Sequence, residues 1–333
     1  MWRIGIARAL GAVAVLLLAG CVGTGGEAPG SATPSATESV GNGALIVEWA
    51  DGSGAQRYPI GADGAVGAPA ELSWESGPEA QATQLWDAVG PWALTATYEL
   101  PLNDVSANTA LQVRDVVTGE VLHRLDVTNW CLTREAHFPC VLLDEARIAR
   151  TTPLYEYEDG TVIISAMDTG RTLEEYGPFP LLADVHATTS PDALILVGTD
   201  LANTHQTVHG PVPGILLTRL DLNTGDAALI GSLPTSQPWL CTIGTDSVLA
   251  VDGTTLQALG PAVVAPVEVP ELADDGPGAV GCTPDGRYLY VRTDWTDDPD
   301  AELVIDAINL EDGTRTPGVL TLKSRDAAVR VTR

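Results

Sequence analysis

The chain has 333 residues, 45 % of them hydrophobic, which is enough to bury the core of one large domain or two ordinary ones. Its 34 glycines and 23 prolines interrupt the sequence too often for long helices, and 18 % charged residues is too few for a disordered acidic chain. With 44 acidic and 17 basic residues, the formal net charge of −27 predicts that the protein does not bind nucleic acid or anionic lipid head groups.

The first 20 residues have the pattern of an export signal. Arg3 and Arg8 are followed by an apolar stretch, residues 9–20, that is too short to span a bilayer. The stretch ends in Leu18, Ala19, Gly20 and Cys21, an order that resembles the lipobox of bacterial lipoproteins. The resemblance implies a diacylglycerol group on the Cys21 sulfur, cleavage before Cys21, and anchoring to the cell membrane on the side facing away from the cytoplasm.

A tether is expected to follow the lipidated cysteine. Residues 21–43 are rich in Gly, Ser, Thr and Pro and contain only two valines as larger apolar residues, so they cannot bury a core. The folded domain is therefore expected to occupy residues 44–333.

Two short units recur in this domain. The first is an apolar strand, a turn of the form Asp-x-x-Thr-Gly, and another strand. It occurs at residues 115–119 and 221–225, with altered copies at 167–170 and 308–313. Asp or Asn followed by Gly suits a tight hairpin because Gly adopts positive φ without steric cost.

The second unit is a Pro-Asp or Gly-Asp turn followed by an apolar strand. Copies lie at residues 190–197 and 283–291, with looser copies at 244–251 and 90–96. Together the two units make four antiparallel strands. These residues resemble the repeats of β-propellers of the TolB-like, WD-repeat-like and quinoprotein-like kinds, which implies an all-β fold of four-stranded antiparallel blades, but not one function.

The two ends of the domain predict how the ring closes. Residues 44–60 read as an outer hairpin without an inner one, and residues 319–333 read as an inner pair without an outer one. The two ends would then share one blade and cover each other's open strand edges. Five internal copies and the shared blade give six blades, and seven is the alternative if residues 61–84 contain further strands.

Four cysteines remain after Cys21. An even number in an exported chain favours two disulfides with three possible pairings. Cys131 and Cys140 fit across one hairpin, and Cys241 and Cys282 hold similar positions in neighbouring blades, so these two pairings are expected.

A candidate ligand face consists of Trp86, Trp130, His186 and Trp239. Trp86, His186 and Trp239 precede a first-hairpin turn by about five or six residues, and Trp130 precedes the Phe138-Pro139 step by eight. At the mouth of a propeller channel, three Trp rings could stack a sugar, a peptide or a flat cofactor, with Asp87, Asn129 and Asp184 as polar neighbours. The alternative is packing between blades.

Two segments are candidates for binding a metal. His205 and His209 lie four residues apart in what reads as a long Pro- and Gly-bounded loop, residues 198–214. An acidic segment offers oxygen ligands for calcium, and its carboxylates belong to Asp294, Asp297, Asp298, Asp300 and Glu302. A solvated loop and a solvated hairpin tip are the corresponding alternatives, so no cofactor is predicted apart from this possible calcium.

Familiar catalytic motifs are absent from the sequence, including G-x-S-x-G, the P-loop and a dinucleotide fingerprint. Quinoprotein repeats carry a Trp four residues after the turn Gly, and here those positions hold His123, Glu174, Leu229 and Pro317. The sequence therefore favours a non-enzymatic module that binds an envelope protein or a glycan. A polysaccharide hydrolase or lyase and a metal- or cofactor-dependent sensor are the alternatives.

Overall fold

The computed structural model describes the greater part of the chain after residue 42. The described residues are 43–49, 54–72, 81–99, 106–127, 130, 132–133, 140–152, 159–207, 210–234, 240–252, 255–265, 267–269, 279–293, 302–323 and 327–332. The expected signal peptide, Cys21 and tether lie outside these residues and stay predictions. Within them, no helix is long and apolar enough to cross a membrane.

The described residues form 25 β-strands. Their bounds are β1 Ala44–Trp49, β2 Ala55–Pro59, β3 Ala70–Leu72, β4 Gln81–Val89, β5 Trp92–Glu99, β6 Ser106–Asp115, β7 Val121–Leu125, β8 Leu132–Thr133, β9 Cys140–Leu142, β10 Arg147–Thr152, β11 Gly160–Ala166, β12 Thr172–Phe179, β13 Leu182–Ala187, β14 Ala193–Thr207, β15 Gly210–Asp221, β16 Ala227–Leu233, β17 Leu240–Ile243, β18 Ser247–Asp252, β19 Thr255–Leu259, β20 Val267–Glu268, β21 Ala279–Cys282, β22 Tyr288–Arg292, β23 Leu303–Asn309, β24 Arg315–Leu322 and β25 Ala327–Val331.

The strands form six antiparallel sheets, which confirms the six-bladed propeller and excludes seven blades. Blades I to VI have the strand orders β25-β1-β2-β3, β4-β5-β6-β7, β9-β10-β11-β12, β13-β14-β15-β16, β17-β18-β19-β20 and β21-β22-β23-β24. The short β8 pairs with β6 in addition. The first strands of neighbouring blades contact one another around the ring, so they are the inner strands, and the fourth strands are the outer strands.

The two chain ends close the ring in blade I, as expected, but they divide it three to one. The N-terminal part supplies β1, β2 and β3, and the C-terminal part supplies only β25, which pairs with β1. The prediction that each end supplies two strands of the shared blade was wrong, because residues 315–322 form β24, the outer strand of blade VI. Residues 61–84 contain β3, which completes blade I, and the beginning of β4.

Local hydrogen bonds explain the recurring Asp-x-x-Thr-Gly turn. Asp115 Oδ1 accepts hydrogen bonds from the N–H groups of Val117 and Thr118, both at 2.8 Å. The turn closes where the Gly119 N–H donates to the Asp115 carbonyl oxygen, with Gly119 at φ 76°. The corresponding glycines of blades III, IV and VI, Gly170, Gly225 and Gly313, have φ values of 67°, 76° and 76°. The motif thus encodes one hairpin geometry in four blades.

One hydrophobic cluster fills each of the six interfaces between blades. Alternate side chains of a strand point to opposite neighbours because the side-chain period of a strand is two. Leu194 and Leu196 of β14 pack toward blade III, whereas Ile195 and Val197 pack toward blade V. The blades are therefore apolar on both faces, and the core of this protein is distributed around the ring.

Candidate functional site

The inner strands carry irregularities that place polar side chains near the axis. In β4, β13 and β21 the register shifts by one residue, which is the mark of a β-bulge. An aspartate follows the bulge in two of these strands. Asp87 Oδ1 accepts a hydrogen bond from the Ala88 N–H at 2.8 Å, and Asp184 Oδ1 accepts one from the Val185 N–H at 2.7 Å. The same local geometry thus fixes both carboxylates.

The second oxygen of each carboxylate reaches a different partner. Asp87 Oδ2 accepts a hydrogen bond from the Leu142 N–H of blade III at 2.8 Å, so it ties two blades together. Asp184 Oδ2 instead lies 3.5 Å from His186 Nε2, with Asp184 5 % exposed and the His186 side chain 28 % exposed. A buried carboxylate that orients a partly exposed imidazole can support acid–base chemistry or hold a ligand.

Trp86 lies in the core and does not present a face to the axis. Its side chain is 7 % exposed and belongs to the cluster between blades II and III. The indole N–H donates a hydrogen bond to the Cys140 carbonyl oxygen at 2.9 Å. The packing interpretation therefore describes this residue.

Trp130 packs at the same interface. Its ring lies 4.5 Å from the Arg150 guanidinium carbon, and it borders the cluster that contains Trp86. His186, by contrast, lies in blade IV, and Trp239 and Asn129 lie outside the described residues. The structure thus brings Trp86 and Trp130 together at one interface and places His186, with a partly exposed side chain, on the inner strand of blade IV. A ligand face formed by these residues stays a prediction.

The metal candidates lie almost entirely outside the described residues. The residues outside are His209, Asp294, Asp297, Asp298 and Asp300. The backbone of His205 lies in β14, and Glu302 is exposed. In the described part of the chain, no three His, Cys, Asp or Glu side chains are close enough together to hold a metal ion. The calcium site stays a prediction.

The expected disulfide between Cys241 and Cys282 is confirmed. It joins the inner strands β17 and β21 with a Cα–Cα distance of 6.2 Å, across the interface of blades V and VI. Cys140 is also disulfide-bonded. Cys131 lies outside the described residues, so its pairing with Cys140 stays a prediction.

The segment that read as a loop around His205 is a β-ribbon. Strands β14 and β15 remain paired through Thr207 and Gly210, past the last residues that pair with β13 and β16. We call residues 200–207 and 210–214 the blade IV arm. Sequence reasoning missed it because Pro211 and Pro213 suggest a loop. In the part of the chain that the structure describes, however, β15 has no partner there on its second side, so the N–H groups that these prolines lack are not needed on that side.

The interface of blades I and II contains a buried polar layer that sequence reasoning also missed. Glu48 is 8 % exposed, and Thr95, Gln112 and Arg114 are also buried. Arg114 donates to Gln112 Oε1 at 2.5 Å and to the Gly119 carbonyl oxygen at 3.3 Å. Burial raises the pKa of Glu48 from 4.5 to about 7, against the opposing effects of the Leu85 N–H, Arg114 and Arg330. The sequence shows only a Glu at the end of an apolar strand.

An open cavity of about 340 Å³ lies between blades VI and I. Asp63 is its one ionisable residue among the described ones that line it, which are Asp63, Gly64, Ala65, Val66, Thr316 and Val319. Tyr290 donates a hydrogen bond from its hydroxyl to the Gly64 carbonyl oxygen at 2.9 Å beside it. These contacts fasten the closing blade to blade VI.

No protein-family model matches the chain, and neither does any curated protein sequence. Solved structures with a similar fold include TolB from Acinetobacter baumannii, at 12 % identity and a TM-score of 0.47 over 87 % of this chain and 65 % of that one. This chain thus spans less than two thirds of TolB. A nidogen/laminin complex matches at 14 % identity and a TM-score of 0.49 over 88 % and 98 % of the two chains. A putative 6-phosphogluconolactonase from Bacteroides fragilis matches at 16 % identity and a TM-score of 0.39 over 88 % and 84 %. At these identities the likeness concerns the fold and assigns no function.

Proposed function

We propose that the protein is a lipid-anchored lipoprotein on the outer side of the cell membrane, and that its propeller is a binding or scaffold module for an envelope protein or a glycan. The anchor rests on the lipobox at Leu18, Ala19, Gly20 and Cys21. The binding role rests on the geometry of the ring and of the blade IV arm.

Specific contacts support a ring that keeps its shape. Between blades III and IV, Arg147 donates to the Pro191 carbonyl oxygen at 3.3 Å. Between blades IV and V, the Thr242 hydroxyl donates to the Ala187 carbonyl oxygen at 2.9 Å. The disulfide joins blades V and VI. A partner that binds such a ring loses little affinity to reordering it.

The blade IV arm is the observation that carries the proposal. It extends beyond the neighbouring strands of its own blade, and Leu201 at its base is 60 % exposed. A ribbon that leaves a packed sheet and exposes a large apolar side chain has no role in the core, whereas it suits contact with another molecule.

Crosslinking in cells tests this proposal. A photoreactive residue at Leu201 should give an adduct of defined mass, and one at Val117, which is 56 % exposed on the turn side of blade II, should give none. The Cys21→Ala variant should lose incorporation of labelled palmitate and leave the membrane fraction. Equal adducts from both positions, or none from either, would contradict the binding role, and continued labelling of the variant would contradict the anchor.

A second function, a polysaccharide hydrolase or lyase, is favoured by the contact between Asp184 and His186. If it holds, the full chain should cleave a cell-wall polysaccharide, and His186→Ala should abolish the cleavage. His123→Ala on the outer strand β7 is the matched control and should retain it. Absence of cleavage across a polysaccharide panel would leave the binding module as the function.

A further inference from the structure

The outer strand of blade IV differs from the other five outer strands. Strands β7, β12 and β24 carry Arg124, Glu174 and Arg315, while β3 and β20 are only three and two residues long. Strand β16 has seven residues, Ala-Ala-Leu-Ile-Gly-Ser-Leu, with no charge and no proline. Charges, prolines, short strands and β-bulges are the usual means by which proteins block an exposed sheet edge. Of these β16 has only a bulge, at Ile230, where its register against β15 shifts by one residue.

The outer edge of β16 offers hydrogen-bonding groups in a defined order. Within the described residues, β15 is the only strand paired with β16. The Asp221 N–H donates to the Asp226 carbonyl oxygen at 2.9 Å, so the next pair, Leu220 with Ala227, is a non-hydrogen-bonded pair. Because the two kinds of pair alternate, Ala227 and Leu229 direct their N–H and C=O groups to the open edge.

Exposed apolar side chains accompany this edge. Leu229 is 67 % exposed, and Ala227 and Ala228 are also exposed. The inner end of the strand is anchored, since Leu233 is 2 % exposed in the cluster between blades IV and V. Within the described residues, the strand is therefore held in place at Leu233, and its regular part, Ala227 to Leu229, has an unpaired outer edge that ends at the bulge at Ile230.

Carboxylates flank both ends of the strand. Asp226 directly precedes it and is exposed. At the other end, the Asn203 amide nitrogen donates to Ser232 Oγ at 3.3 Å, and Asp200 Oδ1 accepts a hydrogen bond from the Asn203 N–H at 3.3 Å. The nearby Arg219 contacts Asp221 at 3.3 Å, so its charge is already partnered. The charge that complements this edge is positive.

We propose that β16 is a strand-addition site at which an extended segment of another protein, apolar in its middle and basic at its ends, joins blade IV as a fifth strand. Main-chain hydrogen bonds to Ala227 and Leu229 supply the affinity of this binding mode, and the flanking carboxylates select basic residues. This inference rests on the proposed function as a binding module. A second copy of this chain is a poorer occupant because each copy carries a net charge of −27.

Synthetic peptides test the inference on the full-length protein in detergent. The probe is a labelled peptide of alternating Val and Thr with two Lys at each end, and its control has Glu in place of Lys. The Lys peptide should bind at least tenfold more tightly by fluorescence anisotropy, and should protect the amides of Ala227 and Leu229 from hydrogen exchange. Equal binding of both peptides, or protection elsewhere, would overturn the inference.

Two variants of one residue separate strand addition from other modes. Leu229→Pro removes an N–H that points to the open edge, and Leu229→Lys adds a positive charge at a mostly exposed position where the fold tolerates it. Both variants should bind the Lys peptide at least tenfold more weakly than the wild type does. Val121→Pro is the matched control at the start of the outer strand of blade II, and it should leave binding unchanged. An equal loss with Val121→Pro would overturn the inference.

The remaining outcomes are also decisive. A concentration-dependent dimer that Leu229→Pro abolishes would show that a second copy of the chain occupies the edge. Competition with the Lys peptide by a peptide of residues 22–42 would show that the tether occupies it. Either result overturns the inference. If crosslinks from Leu201 persist in cells with Leu229→Pro, the inference fails while the proposed function stands.

Discussion

The carboxylate of Glu48, on the closing blade, accepts a hydrogen bond of 2.5 Å from the N–H of Leu85 on the inner strand of blade II. The two residues therefore join the blade that seals the ring to the first complete blade. Arg114 and Arg330 favour the ionised carboxylate, but burial outweighs them and raises its pKa to about 7. The interface between blades I and II thus contains a carboxyl group that ionises near neutral pH.

The Glu48→Gln variant should remove a pH dependence of stability. The pKa of Glu48 is raised on folding, so its contribution is complete below pH 4.5, falls as pH rises, and is lost above about pH 7. Glutamine can still accept the Leu85 N–H and does not ionise. Relative to wild type, the variant should gain about 3 kcal/mol in free energy of unfolding between pH 4 and pH 8.

Denaturant unfolding at several pH values measures this difference. Glu120→Gln, at an exposed turn position, is the control and should follow the wild-type profile. Parallel profiles of wild type and Glu48→Gln would show that Glu48 ionises freely in the folded protein.

Trp86→Phe should destabilise the protein through one lost hydrogen bond. Phenylalanine fills most of the space but leaves the Cys140 carbonyl oxygen without the indole N–H donor, at a cost of about 1–3 kcal/mol. The control is Trp92→Phe, since Trp92 is half-buried beside the same cluster, and it should cost less. Thermal unfolding measures both, and equal costs would argue against the role of this hydrogen bond.

Replacing Cys241 and Cys282 together by serine should lower the free energy of unfolding by about 2–5 kcal/mol. The bond closes a loop with a sequence separation of 41 and joins two inner strands. Unfolding without reductant should show the loss, and with reductant the difference between wild type and variant should nearly vanish. A difference of the same size under both conditions would assign the effect to packing of the side chains.

Gly64→Ala should weaken the packing between blades I and VI and lower the free energy of unfolding. Gly64 has φ 76°, and an added Cβ would lie 2.5 Å from the Tyr288 ring. Gly318→Ala is the matched control, because Gly318 has φ 61° but open space around the Cβ position. Gly318→Ala should cost about 1–2 kcal/mol from backbone strain alone. Gly64→Ala should cost about 1–3 kcal/mol more from overpacking, and equal losses in chemical unfolding would contradict the close contact.

The sequence by itself determined the features that depend on neighbouring residues. The turn at residues 115–119 could be predicted because Asp115 binds the N–H groups of Val117 and Thr118, and Gly119 takes positive φ, whatever the rest of the chain does. This turn together with the second recurring unit implied four-stranded blades, and five internal copies plus the blade shared by the two ends implied six. The pairing of Cys241 with Cys282 followed from their equivalent positions in neighbouring repeats.

Only the tertiary structure decided which way individual side chains face. A one-residue bulge reverses the side of a strand on which a residue lies, so the spacing of Trp86 could not show whether it packs between blades or faces the axis. The three-to-one closure, the arm of blade IV and the open edge of β16 likewise depend on which strands find partners. The closure pairs β1 with β25, which is distant in sequence, whereas the arm and the edge depend on where neighbouring strands end, and local turn hydrogen bonds record neither.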